Sequence, residues 1–374
     1  MTKPGPYRIM VVDDSAVIRG LLTRALESDP AVEVVASVSD GQQGIRALGR
    51  HDVEVVILDI EMPVMDGLTA LPKMIEAKPG VQVVVASTLT RKNAEISLRA
   101  LQLGAADYIA KPSSKSELHG AKDFKRELTE KVKALGAAVR GGQAPAPSGK
   151  VRPAARAGRD QAKAAPLSVS KAVTLRKSAI IPPEAIAIGS STGGPQALLK
   201  LLTSLASPIR QPIFITQHMP ATFTTLLAEH ISRATSFDCA EAVDGEVVVG
   251  GRIYLAPGGF HMLVRAKGAQ QVIRLTEDPP ENFCRPAVDP MLRSLNDVYG
   301  PRLMVVILTG MGSDGQRGCA RVVETGGTVI AQDEATSVVW GMPGAVAGAG
   351  LCTAILPLTE IAPYVSQYLM RPAA

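Results

Sequence analysis

Two sets of side chains in this 374-residue chain have the types and spacing to do chemistry. The first is acidic. Asp13 and Asp14 close one apolar run, and Asp59 closes another in ILDIEMPVMDG. Ser87 closes a third in VVVASTLT, and Lys111 closes a fourth in YIAKP. In a parallel sheet the carboxyl ends of the strands share one edge, where ligands collect. Three carboxylates gathered there repel one another unless a cation is bound. An all-oxygen set suits Mg²⁺, which commonly works with phosphate. A carboxylate beside Mg²⁺ is a nucleophile toward phosphoryl groups, with Lys111 to neutralise the phosphate and Ser87 to hydrogen-bond it. A single strand-end aspartate is ordinarily only solvated, and the combination over successive strands is what points to chemistry.

The second set centres on a serine. AIAIGSSTGGPQALLKLL reads as an apolar strand, a glycine-rich turn and a helix, and its residues 189–193 fit Gly-x-Ser-x-Gly. The glycines permit a sharp turn that projects a central hydroxyl at the strand end. The helix N-terminus adds N–H groups and a positive dipole for an oxyanion. A phosphate-binding turn is the competing reading, although Gly-x-Gly-x-x-Gly and Gly-Lys-Ser/Thr are both missing from it. Ser190 and Ser191 stand in tandem. Ser191 is central to the motif and precedes Thr-Gly-Gly, so it is the expected nucleophile.

A base must come from five histidines. His51 and His119 lie in the first portion, His230 on a helix and His261 in a hairpin region. His218 ends the next strand, PIFITQH, at the same sheet edge as Ser191. Asp314 follows RLMVVILTG at a further strand end. Ser191, His218 and Asp314 therefore form a candidate nucleophile, base and orienting acid. Their chain order, Ser…His…Asp, differs from the Ser…Asp…His of α/β-hydrolases and argues for a separate fold with the same chemistry.

The elements that must position these residues can be read from hydropathy. YRIMVVDD, VEVVASV, VEVVILDI, VQVVVAST and ADYIAKP are short apolar runs with little alternation, as expected of parallel strands covered on both faces. Residues 15–28, 40–50, 66–77 and 92–103 between them have helical spacing. The same alternation resumes after residue 180, with AIAIGSS, PIFITQH, RLMVVILTG and GTVIAQD as strands and 252–276 as short antiparallel strands set into the unit. Both halves are α/β, each a doubly wound, mainly parallel sheet, and the second carries a small antiparallel hairpin.

Residues 136–180 differ. Ala, Gly and Pro supply 21 of these 45 positions, with nine Lys/Arg, one acid and no aromatic. This predicts a flexible tether between a first domain at 7–125 and a second at 181–370. The whole-chain net charge of +5 therefore resides in the tether, and the remainder is slightly acidic, which weakens any case for an acidic partner. Aromatics at 3% argue against stacking platforms for nucleic acid. Four cysteines without a Cys-x-x-Cys pair indicate reduced thiols in a cytosolic protein. The uncharged stretch 335–359 contains glycines and prolines that would break a lone helix in lipid, so it reads as core and loop. No signal peptide is visible, and a cytoplasmic location is expected.

VVDDS, LDIEMPVMDG, the Ser/Thr after an apolar strand and the Lys-Pro pair resemble the receiver domain of bacterial response regulators. The resemblance implies a flavodoxin-like fold, phosphorylation of Asp59 by a histidine kinase, and Mg²⁺ at Asp13, Asp14 and Asp59. It also implies that Ser87 and Tyr108, with Lys111, report the phosphorylated state, and that Asp66 belongs to a turn and is no metal ligand. IGSSTGGPQAL, QHMPATFT, YLAPGGFHM, LTGMGSDG and AQDEATSVVWGMP resemble the catalytic domain of the chemotaxis protein-glutamate methylesterases (CheB family). That resemblance implies Ser191 as nucleophile, His218 as base and Asp314 as orienter, with Met311 and turn amides near the oxyanion. Ser190 and Ser313 depart from the residues common in the family, but neither change removes a member of the triad.

Together the resemblances imply a phosphorylation-activated hydrolase that demethylates glutamate methyl esters on the cytoplasmic helices of chemoreceptors and deamidates receptor glutamines. Its partners would be methylated receptors and a chemotaxis histidine kinase. It would need no nucleic acid, no cofactor for the esterase step, and no membrane contact except through receptors. The unphosphorylated receiver is expected to cover the catalytic mouth. Arg285, in CRPAVD, is either a lure for acidic substrate or a plain salt-bridge residue. Another receiver-coupled acyl hydrolase and a non-enzymatic response regulator are the alternative readings.

Overall fold

The computed structural model describes residues 5–88, 90–111, 118–141, 175–177, 181–205 and 209–369. The first half alternates β1 (Tyr7–Val12), α1 (Ala16–Glu27), β2 (Val32–Val38), α2 (Gly41–Leu48), β3 (Val55–Asp59), α3 (Gly67–Ala77), β4 (Gln82–Ser87), α4 (Arg91–Gln102), β5 (Asp107–Ala110) and α5 (Leu118–Gly141). Each of the first four helices starts on a side-chain cap. Ser15, Asp40, Asp66 and Thr90 accept from the backbone N–H groups of Ile18, Gln43, Thr69 and Asn93, which satisfies donors a helix start leaves orphaned. Asp66 is thus occupied as a cap, as expected of a turn residue. The five strands pair in parallel in the order β2-β1-β3-β4-β5, the flavodoxin-like order.

The second half runs β6 (Ala185–Ser190), α6 (Gly194–Ser204), β7 (Ile213–Gln217), α7 (Ala221–Ala234), β8 (Asp238–Glu241), β9 (Arg252–Leu255), β10 (His261–Lys267), β11 (Gln270–Thr276), α8 (Val288–Tyr299), β12 (Leu303–Ile307), α9 (Gln316–Glu324), β13 (Thr328–Gln332), α10 (Met342–Gly348), β14 (Ala354–Leu356) and α11 (Leu358–Leu369). Seven strands form one parallel sheet in the order β14-β13-β12-β6-β7-β9-β8. The order reverses direction at β6, which places the glycine-rich turn after Ser190 at the switch point where such sheets bind ligands. β3, β7, β12 and β13 are buried at every position, as two-sided coverage by helices requires.

Two expectations change. Within 252–276 only β10 and β11 are antiparallel; β9 enters the main sheet beside β7 in parallel register, with β8 added outside it. A four-residue apolar run does not reveal its pairing direction. The first domain also continues beyond residue 125, because α5 runs to Gly141 and so takes in the first residues assigned to the tether from composition. Arg140 holds the end of that helix. It lies over the Tyr7 ring at 4.3 Å and pairs with the buried Glu54, whose carboxyl it holds below the ordinary range against the effect of burial. The rest of 136–180 lies outside the described residues except for 175–177. Among the described residues, no helix is long and apolar enough to cross a membrane, and 335–359 forms loop, α10, β14 and the start of α11.

Candidate active site

The tandem serines part company at the end of β6. Successive strand residues face opposite sides. Ser190 is fully buried, and its hydroxyl donates to Gln217 Oε1 at 2.7 Å. Gln217 in turn donates through Nε2 to the Ser191 carbonyl at 2.9 Å. Ser191, partly exposed, lines the cleft. The glycines around it are steric requirements. A Cβ on Gly194 would stand 2.0 Å from Gln217 Oε1, and one on Gly310 would stand 2.9 Å from Ser191 Cβ. Gly193 takes φ +76° to start α6, a conformation glycine adopts without strain.

His218 follows β7, and its Nε2 lies 2.8 Å from Asp314 Oδ2. Asp314 is 1% exposed. It also accepts from the backbone N–H groups of Val288 (2.6 Å), Asp289 (3.1 Å) and Gly315 (2.9 Å), and from Asn282 Nδ2 (2.9 Å). Val288 and Asp289 open α8, so the carboxylate sits on a helix N-terminus. Burial alone would raise the Asp314 pKa, but His218 and these donors hold it below the usual carboxylate value. Burial likewise opposes charge on His218, but the neighbouring Cys284 and Asp314 outweigh it and raise the imidazole above its ordinary range. With Nε2 on Asp314, Nδ1 is the ring nitrogen left to accept a proton.

Ser191, His218, Asp314 and Met311 share one cleft of about 710 Å³. The Ser191 N–H is spent on Thr309 O at 3.1 Å, so an oxyanion donor must be another amide. Arg285 lines the same cleft and makes no ion pair among the described residues. Its guanidinium donates to the main-chain oxygens of Glu277 (2.6 Å) and Asp278 (3.2 Å). His261 is buried, with both ring nitrogens engaged by Ala287 N and Pro279 O.

The first half closes the far wall of this cleft with Tyr108, Arg126 and Lys131 among others. Tyr108 stacks on Phe223 of α7 at 4.1 Å between ring centroids. Thr192 donates to Asp107 Oδ2 at 2.7 Å, and Gln196 donates to the carbonyls of Leu101 and Ala105. Arg126 lies over the Phe283 ring at 4.1 Å.

The acidic set gathers at the ends of β1 and β3 in the first domain. Asp13, Asp14 and Asp59 each offer a carboxylate oxygen within 4.8 Å of the others. The Lys111 ammonium reaches Asp13 at 2.6 Å and Asp59 at 2.7 Å. Burial, with Asp13 adding to it, raises the Asp59 pKa despite Lys111. Three oxygen donors with surplus negative charge fit a hard divalent cation. Ser87 is turned aside, its hydroxyl 2.7 Å from that of Ser97 on α4. Sequence reasoning missed Gln217, Asn282 and Cys284 as neighbours of Ser191, His218 and Asp314. The only signal in reach was the placement of CRPAVD beside the site.

Comparison with known proteins gives two family matches: CheB methylesterase over residues 186–365 and response regulator receiver domain over residues 9–122. The chain is 59% identical to the protein-glutamate methylesterase/protein-glutamine glutaminase of group 2 operon of Rhodospirillum centenum, over 99% of this chain and 95% of the relative. It is 58% identical to protein-glutamate methylesterase/protein-glutamine glutaminase 1 of Paramagnetospirillum magneticum, over 97% and 96%. The crystal structure of the Thermotoga maritima CheB methylesterase catalytic domain is 38% identical, covers 50% of this chain and 99% of its own, and superposes with a TM-score of 0.49.

Proposed function

The chain belongs to the family of protein-glutamate methylesterases/protein-glutamine glutaminases that carry a receiver domain, and from that premise we propose how its residues divide the work. The reaction is hydrolysis of glutamate methyl esters, with deamidation of glutamines by the same route, under control of receiver phosphorylation. The receiver spans 7–125, with α5 continuing to Gly141, and the catalytic domain spans 181–370.

His218 Nδ1 takes the proton of Ser191 as the hydroxyl attacks the ester carbonyl. Asp314 stabilises the imidazolium and fixes its tautomer. The protonated His218 then gives its proton to the departing methoxide, and methanol leaves. Water, deprotonated by the same nitrogen, cleaves the acyl-enzyme to glutamate and restores Ser191. With a glutamine substrate the leaving group is ammonia. Free amides beside Ser191 and Met311 would meet the oxyanion. The observation that carries this reading is the bond between buried Asp314 and half-buried His218, both of which line the cleft that holds Ser191.

Asp59 is the phosphorylation site, and Mg²⁺ held by Asp13, Asp14 and Asp59 would offset the charge of the incoming phosphoryl group. Lys111 binds the phosphate, and Ser87 and Tyr108 relay its presence. Tyr108 lies in the domain contact itself, which supports a receiver that covers the cleft until Asp59 is phosphorylated. The phosphoryl donor is a chemotaxis histidine kinase, the substrate is the helical cytoplasmic region of methylated receptors, and the protein works in the cytoplasm. Methanol release from methylated receptor membranes tests the whole reading. We expect release by the wild type, a gain with a small-molecule phosphoryl donor and Mg²⁺, no gain in Asp59→Asn, and no release by Ser191→Ala. Release by Ser191→Ala at the wild-type rate would overturn it.

A further inference from the structure

The segment that enters α8 bends sharply at residues 281–284. Glu281 and Cys284 exchange backbone hydrogen bonds, Glu281 N to Cys284 O at 3.2 Å and Cys284 N to Glu281 O at 2.9 Å. Between them Asn282 and Phe283 take φ +52° and +63°. These are two of three non-glycine residues with positive φ among the described residues. A bulky residue such as Phe283 is a genuine outlier there, and strain of this kind persists where the surroundings hold it and clusters at functional sites. Phe283 is 73% exposed, and its ring meets Arg126 of the first domain at 4.1 Å, so core packing does not fix the bend. Polar contacts do.

The bend delivers the Asn282 amide to Asp314 Oδ1 at 2.9 Å and to Asp289 Oδ2 at 3.3 Å. Both carboxylates are 1% exposed. Asp289 also accepts from Gly318 N at 2.7 Å, at the start of α9. Two buried carboxylates are therefore tied together by one neutral NH₂ group. An amide is the fitting bridge, since it donates twice and adds no charge. Its bond to Oδ1 leaves Oδ2, the oxygen that faces His218, in a fixed plane.

We propose that Asn282 is a positioning residue for the esterase reaction, its amide clamping Asp314 against Asp289 so that Asp314 Oδ2 stays aligned on His218. The inference rests on the triad reading above. Asn282 touches no reacting atom; it acts through Asp314. The charged and titratable groups around the clamp are His218, Asp289, Asp314, Cys284, His261 and the Glu281–Arg293 ion pair.

Two substitutions separate positioning from folding. Asn282→Gly removes the amide but accepts positive φ freely, so the bend is retained. Asn282→Asp keeps a residue that tolerates this backbone and puts a third carboxylate into the clamp. We expect Asn282→Gly to lower kcat for methanol release by about 10- to 100-fold, the scale of a small misplacement in an active site, with KM unchanged and a cooperative melt retained at a modestly lower temperature. In Asn282→Asp the added negative charge should move the acid limb of the kcat/KM profile to higher pH. Ser191→Ala is measured beside them. If Ser191→Ala is inactive while both Asn282 variants keep wild-type kcat and the wild-type acid limb, the clamp is overturned and the triad stands. If Ser191→Ala keeps full activity, the triad falls and the clamp falls with it.

Discussion

The hydroxyl of Thr192, next in the chain to Ser191, donates to Asp107, next in the chain to Tyr108, over 2.7 Å across the domain boundary. The glycine-rich turn after β6 and strand β5 of the receiver are thus tied beside Ser191 and Tyr108. Asp107 also accepts from Lys131, 3.2 Å away. Burial works against the charge on Lys131, but Asp107 and Glu127 raise its pKa above the usual lysine range. A charged group in a buried hydrogen bond contributes about 1.5–3 kcal/mol.

Asp107→Ala should therefore loosen the closed arrangement. Losing a bond of that size shifts a two-state balance by about 10- to 100-fold. The expected outcome is a rise in methanol release without any phosphoryl donor, and little further gain when one is added. A basal rate equal to that of the wild type would show that the contact does not restrain the enzyme.

The two serines make opposite predictions. Ser191→Ala removes the attacking oxygen and should cost roughly 10⁴-fold or more in kcat. Ser190→Ala removes a hydroxyl that points away from the cleft and is bonded to Gln217. It should leave most of the rate and cost about 1 kcal/mol of stability, the net value of one buried hydrogen bond. Kinetics and denaturant melts of the two variants read this directly, and the reverse ranking would reassign the nucleophile.

How much of this was legible beforehand depends on whether the signal was local. β1, β3, β6, β7 and β12 were visible as apolar runs because two-sided burial leaves no polar alternation. Asp59, Ser191 and His218 were visible because each closes such a run. Asn282 and Cys284 were not, since they sit on an irregular bend with no periodicity, brought to the site by the entry into α8. The antiparallel reading of 252–276 failed for β9 because pairing direction is a tertiary choice. The length of α5 was hidden by its Ala/Gly-rich end, which is held by the Arg140–Glu54 pair from distant sequence. The domain contact, finally, pairs residues such as Tyr108 and Phe223, or Asp107 and Thr192, that lie in separate segments, and no local pattern reveals that they meet.

The Asp314–His218 pair has a pH signature. Asp314 and Cys284 raise the His218 pKa above its ordinary 6.5 against the opposing effect of burial. Activity needs the neutral imidazole, so the acid limb of kcat/KM should lie above pH 6.5, and Asp314→Asn should move it down while lowering kcat. Stability runs the other way. A raised folded-state pKa stabilises the protein fully below pH 6.5, and this contribution is lost as pH rises through the folded value. Asp314, with its pKa lowered, adds stability that is present above its ordinary 3.8 and is lost as pH falls through the lowered value. Denaturant melts of wild type and His218→Gln across pH should converge in alkali. Curves that stay parallel would show that the pair contributes no pH-dependent stability.

Cys284 offers a last test of the site's layout. Cys239, Cys319 and Cys352 are buried. Burial raises all three thiols, Cys239 and Cys352 to about 12 and Cys319 well above its ordinary value. Cys284 alone among the four is partly open, and it lines the cleft with its side chain against His218. Of the four thiols it is thus the one a reagent entering the cleft can reach. Iodoacetamide should therefore alkylate Cys284 first: sulfur bonds to the acetamide carbon, iodide leaves, and the thiol proton is lost to His218 or solvent. The bulky adduct would stand where His218 must reach Ser191, so activity should fall by about tenfold or more in step with a single modification. Peptide mass mapping alongside methanol release checks both halves. Cys284→Ala should keep activity and resist the reagent, whereas inactivation of that variant at the wild-type rate would place the sensitive thiol elsewhere.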